Sequence, residues 1–378
     1  MTGNTKILLI SLSLFCICSN IFAWDVPPSI YPYEIKFNHD TGSSSSDGIN
    51  LKDNYGASVT APEWTSSVTK KFAYVRSIDP TVKVQFYSPD PDTGTSITML
   101  ALVSVGTAYW DLGEKTFCFY ASGYSDVIEF VLDDGESIPN SVGKWYSIFD
   151  WKVSKIGATS YPNFHMASTR LDYYTVYDTP VTTMETPWVG VLDGACDWAH
   201  GCTTALDVLS DVTTGIYEEL GDTDGGIDYR VDPVYTSDNY LFDLEDFLYH
   251  LSSEDSVRVN CYDVANIFNI YTTALGISTQ TKRIWNDEDA FTTNSADAIG
   301  CGIDDFVSYQ WYRHQFGYYN SSYVYDPCIR FNPGSPYIPI HIIEATYYNL
   351  LIQSGNYEDS ATYTCYVGTV KNSMKNDN

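Results

Sequence analysis

The sequence predicts a mixed α+β protein, an N-terminal antiparallel β-sandwich followed by a domain of helices and then strands. Two observations carry that expectation. From about residue 70 to 180 short alternating runs recur between turn signals, which is the pattern of sandwich strands. From about residue 185 helical periodicity takes over, and antiparallel strand signals come after it. The content of 32 Tyr and 9 Trp agrees with extensive β-structure.

The first residues read as an export signal covering residues 1–23. Lys6 supplies a positive start, Ile7 to Cys18 an apolar run, and Ile21-Phe22-Ala23 a small-residue end before Trp24. The run is shorter than the roughly 20 residues that span a bilayer, so a secreted, extracellular chain without a membrane anchor is expected after cleavage. Residues 24–184 form the sandwich domain, opening on an irregular segment that contains Ser43-Ser44-Ser45-Ser46. Its strands are Val82-Val84-Phe86 alternating with Thr81, Lys83 and Gln85, then Ile97 to Val105, Thr116 to Tyr120, Val127 to Leu132 and Tyr146 to Val153. Asp92-Thr93-Gly94 and Asp133-Asp134-Gly135 are turns between them.

Residues 185–366 form the second domain, and 367–378 a polar tail. Thr203 or Thr204 caps a helix with the apolar stripe Leu206, Leu209, Val212 or Thr213, Ile216 and Leu220, stopped by Gly221. The loop GDTDGGIDYRVDP follows, then a short helix from Phe242 to Leu251. A longer helix starts at Cys261, carries Val264, Phe268, Tyr271 and Leu275 on one face, and stops at Gly276. Strands are expected at Ile277 to Ile284, Phe306 to Phe316, Ser322 to Phe331 and Ile338 to Thr346.

The formal charge of −28 excludes a nucleic-acid or anionic-lipid partner, because phosphate binding needs clustered Lys and Arg. Of nine cysteines, Cys16 and Cys18 lie in the export signal, leaving Cys118, Cys196, Cys202, Cys261, Cys301, Cys328 and Cys365. An odd count in a secreted chain leaves at least one thiol unpaired. Cys196 and Cys202 are close enough in sequence to form a local disulfide.

Cys261 is the reactive candidate. Asn260 is a good N-cap, so Cys261 falls at the first helical position, where the helix dipole and unused N–H groups favour a thiolate and face a developing oxyanion. His314 lies in the aromatic string SYQWYRHQFGYYNSSYVYDPC, which reads as a hairpin. A turn centred on Asn320 puts Asp326 opposite His314, with Cβ atoms about 4.5–5.5 Å apart. The carboxylate would then hold one ring nitrogen while the other faces the thiol. Gln310 and Trp198 are alternatives for a second oxyanion donor.

Cys at a helix start, His on a strand and Asp on the next strand resembles the transglutaminase-like superfamily of papain-like thiol enzymes. NCYDVANIFNIYTTALGI resembles that family's nucleophile helix, HQF and VYDPC its His and Asp strands, and PWVGVLDGACDWAHG the segment leading to its first helix. The resemblance spans about residues 185–335. It implies a transglutaminase-like second domain and a Cys261, His314, Asp326 triad that acts on amide bonds of a protein or peptide through an acyl-enzyme. The Gly-Gln-Cys-Trp motif of the animal cross-linking enzymes is replaced by Val259-Asn260-Cys261-Tyr262, so hydrolysis is favoured over amine transfer. The alternative is a catalytically inactive secreted binding protein with the same fold.

Other residues read as structural. His165, His250, His341 and His39 are isolated, and His200 beside Cys196 and Cys202 lacks a second ligand cluster. No cofactor or metal is expected. Asp222, Asp224, Asp228 and Asp232 are the one place for calcium, but they lack the EF-hand spacing. Asn320-Ser321-Ser322 is a glycosylation sequon at the expected hairpin tip.

Overall fold

The computed structural model describes residues 29–37, 47–91, 96–105, 108–132, 137–155, 165–220, 227–229, 234–237, 241–253, 257–286, 288–300, 310–332 and 337–368. The export signal, Cys301, the turns at 92–94 and 133–135, Asp222, Asp224 and Asp232, and the end of the polar tail lie outside these residues.

Eleven strands make two sheets. They are β1 (Tyr31–Lys36), β2 (Gly48–Ile49), β3 (Trp64–Thr65), β4 (Val68–Thr69), β5 (Phe72–Val75), β6 (Thr81–Tyr87), β7 (Ile97–Val105), β8 (Ala108–Phe117), β9 (Tyr124–Val131), β10 (Gly143–Lys155) and β11 (His165–Val176). One sheet has the order β4-β3-β1-β6-β9 and the other β2-β5-β11-β10-β7-β8. The alternation in β6 works as expected, since Val82, Val84 and Phe86 are buried while Lys83 and Gln85 are half-buried. Phe37, Phe72, Phe86, Phe130 and Trp151 fill the space between the sheets. The arrangement is not wholly antiparallel, because β5 runs parallel to β11, Tyr173 pairing with Phe72.

Among the described residues there are five α-helices: α1 (Val189–Trp198), α2 (Ala205–Gly215), α3 (Leu244–Ser252), α4 (Cys261–Ala274) and α5 (Glu344–Leu351). Together with the sheets they make a mixed α+β protein built mostly of strands. Thr204 caps α2 by accepting the Asp207 N–H at 3.2 Å. Leu206 is exposed, so the buried stripe of α2 is Val208, Leu209, Val212 and Thr213. Burial surrounds α4, and its inward polar side chains are satisfied locally. Asn269 Nδ2 donates to the Thr279 carbonyl at 2.7 Å, and Thr272 Oγ1 to the Phe268 carbonyl at 2.8 Å. A helix buried on all sides lies inside a packed core.

An antiparallel sheet runs beside α4 in the order Ile342–Ile343, Tyr323–Tyr325, Arg313–Tyr319, Gln280–Trp285, Glu358–Asp359. Gly317 on its central strand lets the helix approach, since a Cβ there would lie 2.3 Å from Phe268 Cδ1. Asp193 on α1 ties that helix to the sheet containing β10 and β11. Its Oδ1 takes the Lys71 ammonium at 2.5 Å, the Lys144 ammonium at 3.1 Å and the Tyr174 hydroxyl at 2.8 Å.

Three expectations are corrected. The segment 187–201 contains a helix of its own, α1, rather than only leading to one. The expected strand Ile338 to Thr346 shrinks to Ile342–Ile343, and α5 takes over at Glu344, burying Tyr347, Tyr348 and Leu351. The Cys196–Cys202 disulfide is not formed. Cys196 lies in the last turn of α1 and points its buried sulfur at the Thr175 carbonyl of β11. Cys202 instead gives its thiol to Asp211 Oδ2 at 2.9 Å. Burial, then the Asp211 carboxylate, push the Cys202 thiol pKa up to about 12. No disulfide joins any of the described cysteines, and no described helix is long and apolar enough to cross a membrane.

Candidate active site

The start of α4 is held by a reciprocal cap. Asn260 Oδ1 accepts the N–H of Tyr262 at 2.9 Å and of Asp263 at 3.2 Å, and Asp263 Oδ2 accepts the N–H of Asn260 at 3.2 Å. The same Asp263 carboxylate accepts the N–H groups of Val234 and Tyr235, so the loop before α3 is anchored to this turn. Cys261 follows the cap and is 4% exposed. The cap consumes the Tyr262 and Asp263 amides, so of the first-turn donors expected to face an oxyanion, Cys261's own N–H is the one the cap leaves unused. Trp198 is also committed, its indole N–H donating to Glu219 at 2.6 Å. Gln310 is exposed on a two-residue strand, Gln310–Trp311.

His314 and Asp326 meet through a hairpin whose register differs from the expected one. The pairs are Gly317 with Tyr325, Tyr318 with Val324 and Tyr319 with Tyr323, so the turn centres on Ser321 rather than Asn320. Continued at that register, position 314 faces 328, and Asp326 is its diagonal neighbour. A shift of two in the partner keeps both side chains on the same face, because strand side chains alternate with period two. His314 Nε2 therefore still reaches Asp326 Oδ2, at 2.8 Å. Asn320 and Ser321, with φ of 53° each, form the exposed tip, which puts the sequon on the surface.

The pair is shut away from water, His314 at 0% and Asp326 at 1% exposure. Asp326 Oδ1 accepts the Cys328 N–H at 3.0 Å. Its Oδ2 also accepts the Tyr347 hydroxyl at 2.6 Å, and that hydroxyl lies 3.1 Å from His314 Nε2. Trp311 covers the imidazole at a centroid distance of 4.6 Å. Burial works against the charged imidazole, but the Asp326 carboxylate more than reverses it by charge and hydrogen bonding. Cys261 adds to the effect, and the result is an imidazole pKa of about 9. Nδ1 is buried and makes no completed hydrogen bond, although the Cys261 thiol is near enough to act on the ring. Tyr229 is also within hydrogen-bond reach of Cys261. Its phenol pKa is raised first by burial and then by the charges of Cys261 and Cys328.

The structure thus gathers all three residues singled out from sequence, a sulfur at a capped helix start beside an imidazole whose far nitrogen is held by a carboxylate. Such a group can deliver a nucleophilic thiolate and move one proton. Sequence reasoning missed Tyr347 and Tyr229. Tyr347 sat in a segment read as strand, and nothing in 32 tyrosines marks either one out. His250 Nδ1 donates to the Asp246 carbonyl on α3, His200 packs on Trp145, and His341 stacks on Tyr323, none of these contacts being to His314 or Asp326. No group of His, Cys, Asp and Glu among the described residues could hold a metal ion.

No protein-family model matches the chain. No curated protein matches it either. A solved transglutaminase from red sea bream is similar over 68% of this chain and 49% of that one, at 10% identity and a TM-score of 0.33. The chain spans about half the length of that protein, and a likeness this slight carries no argument about fold or activity.

Proposed function

We propose that the chain is a secreted thiol enzyme that acts on amide bonds of proteins or peptides through a Cys261 acyl-enzyme. The observation that carries this reading is the buried His314–Asp326 pair, whose remaining ring nitrogen has no hydrogen bond and whose neighbour is a thiol at a helix start. The Cys261 sulfur attacks the carbonyl carbon, and its proton rests on His314. The tetrahedral oxyanion collapses, the C–N bond breaks, and the imidazolium gives its proton to the leaving amine, leaving a thioester. An acceptor then attacks the thioester while His314 takes its proton, and the thiol is regenerated. Water as acceptor gives a carboxylic acid; a primary amine gives a new amide. The sequence Val259-Asn260-Cys261-Tyr262, in place of Gly-Gln-Cys-Trp, favours water.

The closed state of the site, with Cys261 at 4% exposure, favours one other reading, a secreted binding protein that keeps the residues without turning over. The test incubates the purified protein with a glutamine-rich protein and a tagged primary amine, beside Cys261→Ala. Cys261-dependent release of carboxylate or cleavage without tag incorporation is the expected result, and incorporation would make the enzyme a transferase. His314→Ala should lower turnover by about 10³-fold, and Asp326→Asn by less, since it disturbs orientation rather than removing the base. Activity that survives Cys261→Ala would defeat the acyl-enzyme, and no product across a broad peptide panel would leave the binding protein.

A further inference from the structure

The hydroxyl of Tyr347 occupies a position that the three-residue scheme does not use. Tyr347 lies on α5, is 0% exposed, and donates at 2.6 Å to the same Asp326 oxygen that holds His314 Nε2 at 2.8 Å. The third side of this triangle, Tyr347 Oη to His314 Nε2, is 3.1 Å. The ring is wedged against Phe316 and Phe331, at centroid distances of 5.0 and 6.1 Å, so the hydroxyl has little freedom to turn elsewhere. We propose that Tyr347 is a positioning residue of this site, clamping the Asp326 carboxylate and setting how firmly the imidazole holds its second proton.

The physical argument concerns one oxygen with two donors. A phenol O–H directed at Asp326 Oδ2 takes up part of the negative charge that would otherwise bind the imidazolium. Burial, then the charge of Asp326, hold the phenol well above its ordinary pKa, so it keeps the proton it donates. The Cys328 amide fixes the other carboxylate oxygen, and the two contacts together prevent rotation about the Asp326 side chain. The ionisable groups facing the imidazole are Asp326 from the hairpin, Cys261 from α4 and Tyr347 from α5. Cys328 acts on the phenols of Tyr229 and Tyr347, and Cys261 acts on Tyr229. In a reaction that needs the imidazolium to release its proton to a leaving amine, too strong a grip by Asp326 is a handicap. Tyr347 moderates that grip and keeps its direction.

The proposal rests on the reading of Cys261 and His314 as a working pair, but its test does not need turnover. The protein is labelled with ¹⁵N-histidine and titrated by NMR, with His314 identified among the six histidines by its loss in His314→Ala. Tyr347→Phe keeps the ring and removes the hydroxyl, and it should raise the His314 midpoint by about half a pH unit or more while the other histidines stay in place. Should that variant fail to fold, 3-fluorotyrosine at position 347, a stronger donor of the same shape, should lower the midpoint instead. An unchanged His314 midpoint in the folded variant, or one that moves together with all the other histidines, overturns the Tyr347 role and leaves the Cys261 reading intact. Absence of Cys261-dependent chemistry from the wild-type protein, together with the expected titration shift in Tyr347→Phe, would overturn the Cys261 reading and leave the Tyr347 role intact.

Discussion

At His314 two influences of opposite sign meet, and their balance has a consequence for stability. Burial disfavours the imidazolium, while Asp326 and then Cys261 favour it, and the net pKa is about 9 against an ordinary value of 6.5. A group whose folded pKa is raised contributes stability that is full below the unfolded pKa and is lost as pH rises through the folded one. Chemical denaturation followed from pH 6 to 8, below the range in which exposed thiols ionise, should therefore show a decline of about 2 kcal/mol. Asp326→Asn should flatten this decline while lowering stability at pH 6. A wild-type curve that is flat, or that rises over this window, would mean that His314 is neutral in the folded protein. The same residue scale explains why one carboxylate suffices: each oxygen of Asp326 has its own partner, so the side chain has a single orientation.

At the scale of elements, the position of the sulfur depends on how closely α4 lies on the strand Arg313–Tyr319. Gly317 is a point of close approach, where an added methyl would meet Phe268 at 2.3 Å and the Tyr325 carbonyl at 2.8 Å. Its conformation is ordinary for a strand, so the requirement for glycine comes from space rather than backbone angle. Gly317→Ala should destabilise the fold by about 1–3 kcal/mol, read as a lower denaturant midpoint. It should also slow any Cys261-dependent reaction by more than that loss explains, because His314 is three residues away on the same strand. Normal reactivity in a folded Gly317→Ala protein would show that the helix and strand can separate without cost to the site. The capping box at Asn260 and Asp263 holds the other end of the geometry, fixing Cys261 as the first helical residue.

The whole molecule presents a contrast between its expected route and its thiols. Export would place the chain in an oxidising environment, where cysteines ordinarily pair. Yet among the described residues Cys118, Cys196, Cys202, Cys261 and Cys365 are free thiols, and all but Cys118 are buried. Their protection is burial itself: the Cys196 and Cys365 thiols are pushed up well beyond the ordinary range, chiefly by loss of solvent, which keeps them as unreactive thiols. Unfolding the protein without reductant and alkylating it should therefore label at least these five cysteines, counted by intact mass. Labelling that rises only after reduction would reveal disulfides that this arrangement lacks. In the folded protein under mild conditions, exposed Cys118 should be labelled first.

Much of this protein was legible from residues alone, for physical reasons that are local. Period-two alternation in Val82, Val84 and Phe86 set the strand β6, and the Asn260 cap with its four-residue apolar stripe set α4 with Cys261 at its start. The symmetry of a hairpin brought His314 and Asp326 to one face. That pairing tolerated a turn centred one residue away, since parity and not position decides the face. What the tertiary structure alone decided depends on contacts between segments far apart in the chain. Near Glu344 the sequence is ambiguous, since Ile343, Tyr347, Tyr348 and Leu351 stand at helical spacing beside an Ile- and Tyr-rich run that suits a strand, and burial against a sheet made elsewhere decides for the helix. Cys196 and Cys202 are close in sequence, but α1 and α2 point them at different partners. The hydroxyl of Tyr347 reaches Asp326 across 21 residues, and a side-chain meeting of that kind exists only once the hairpin and α5 have packed.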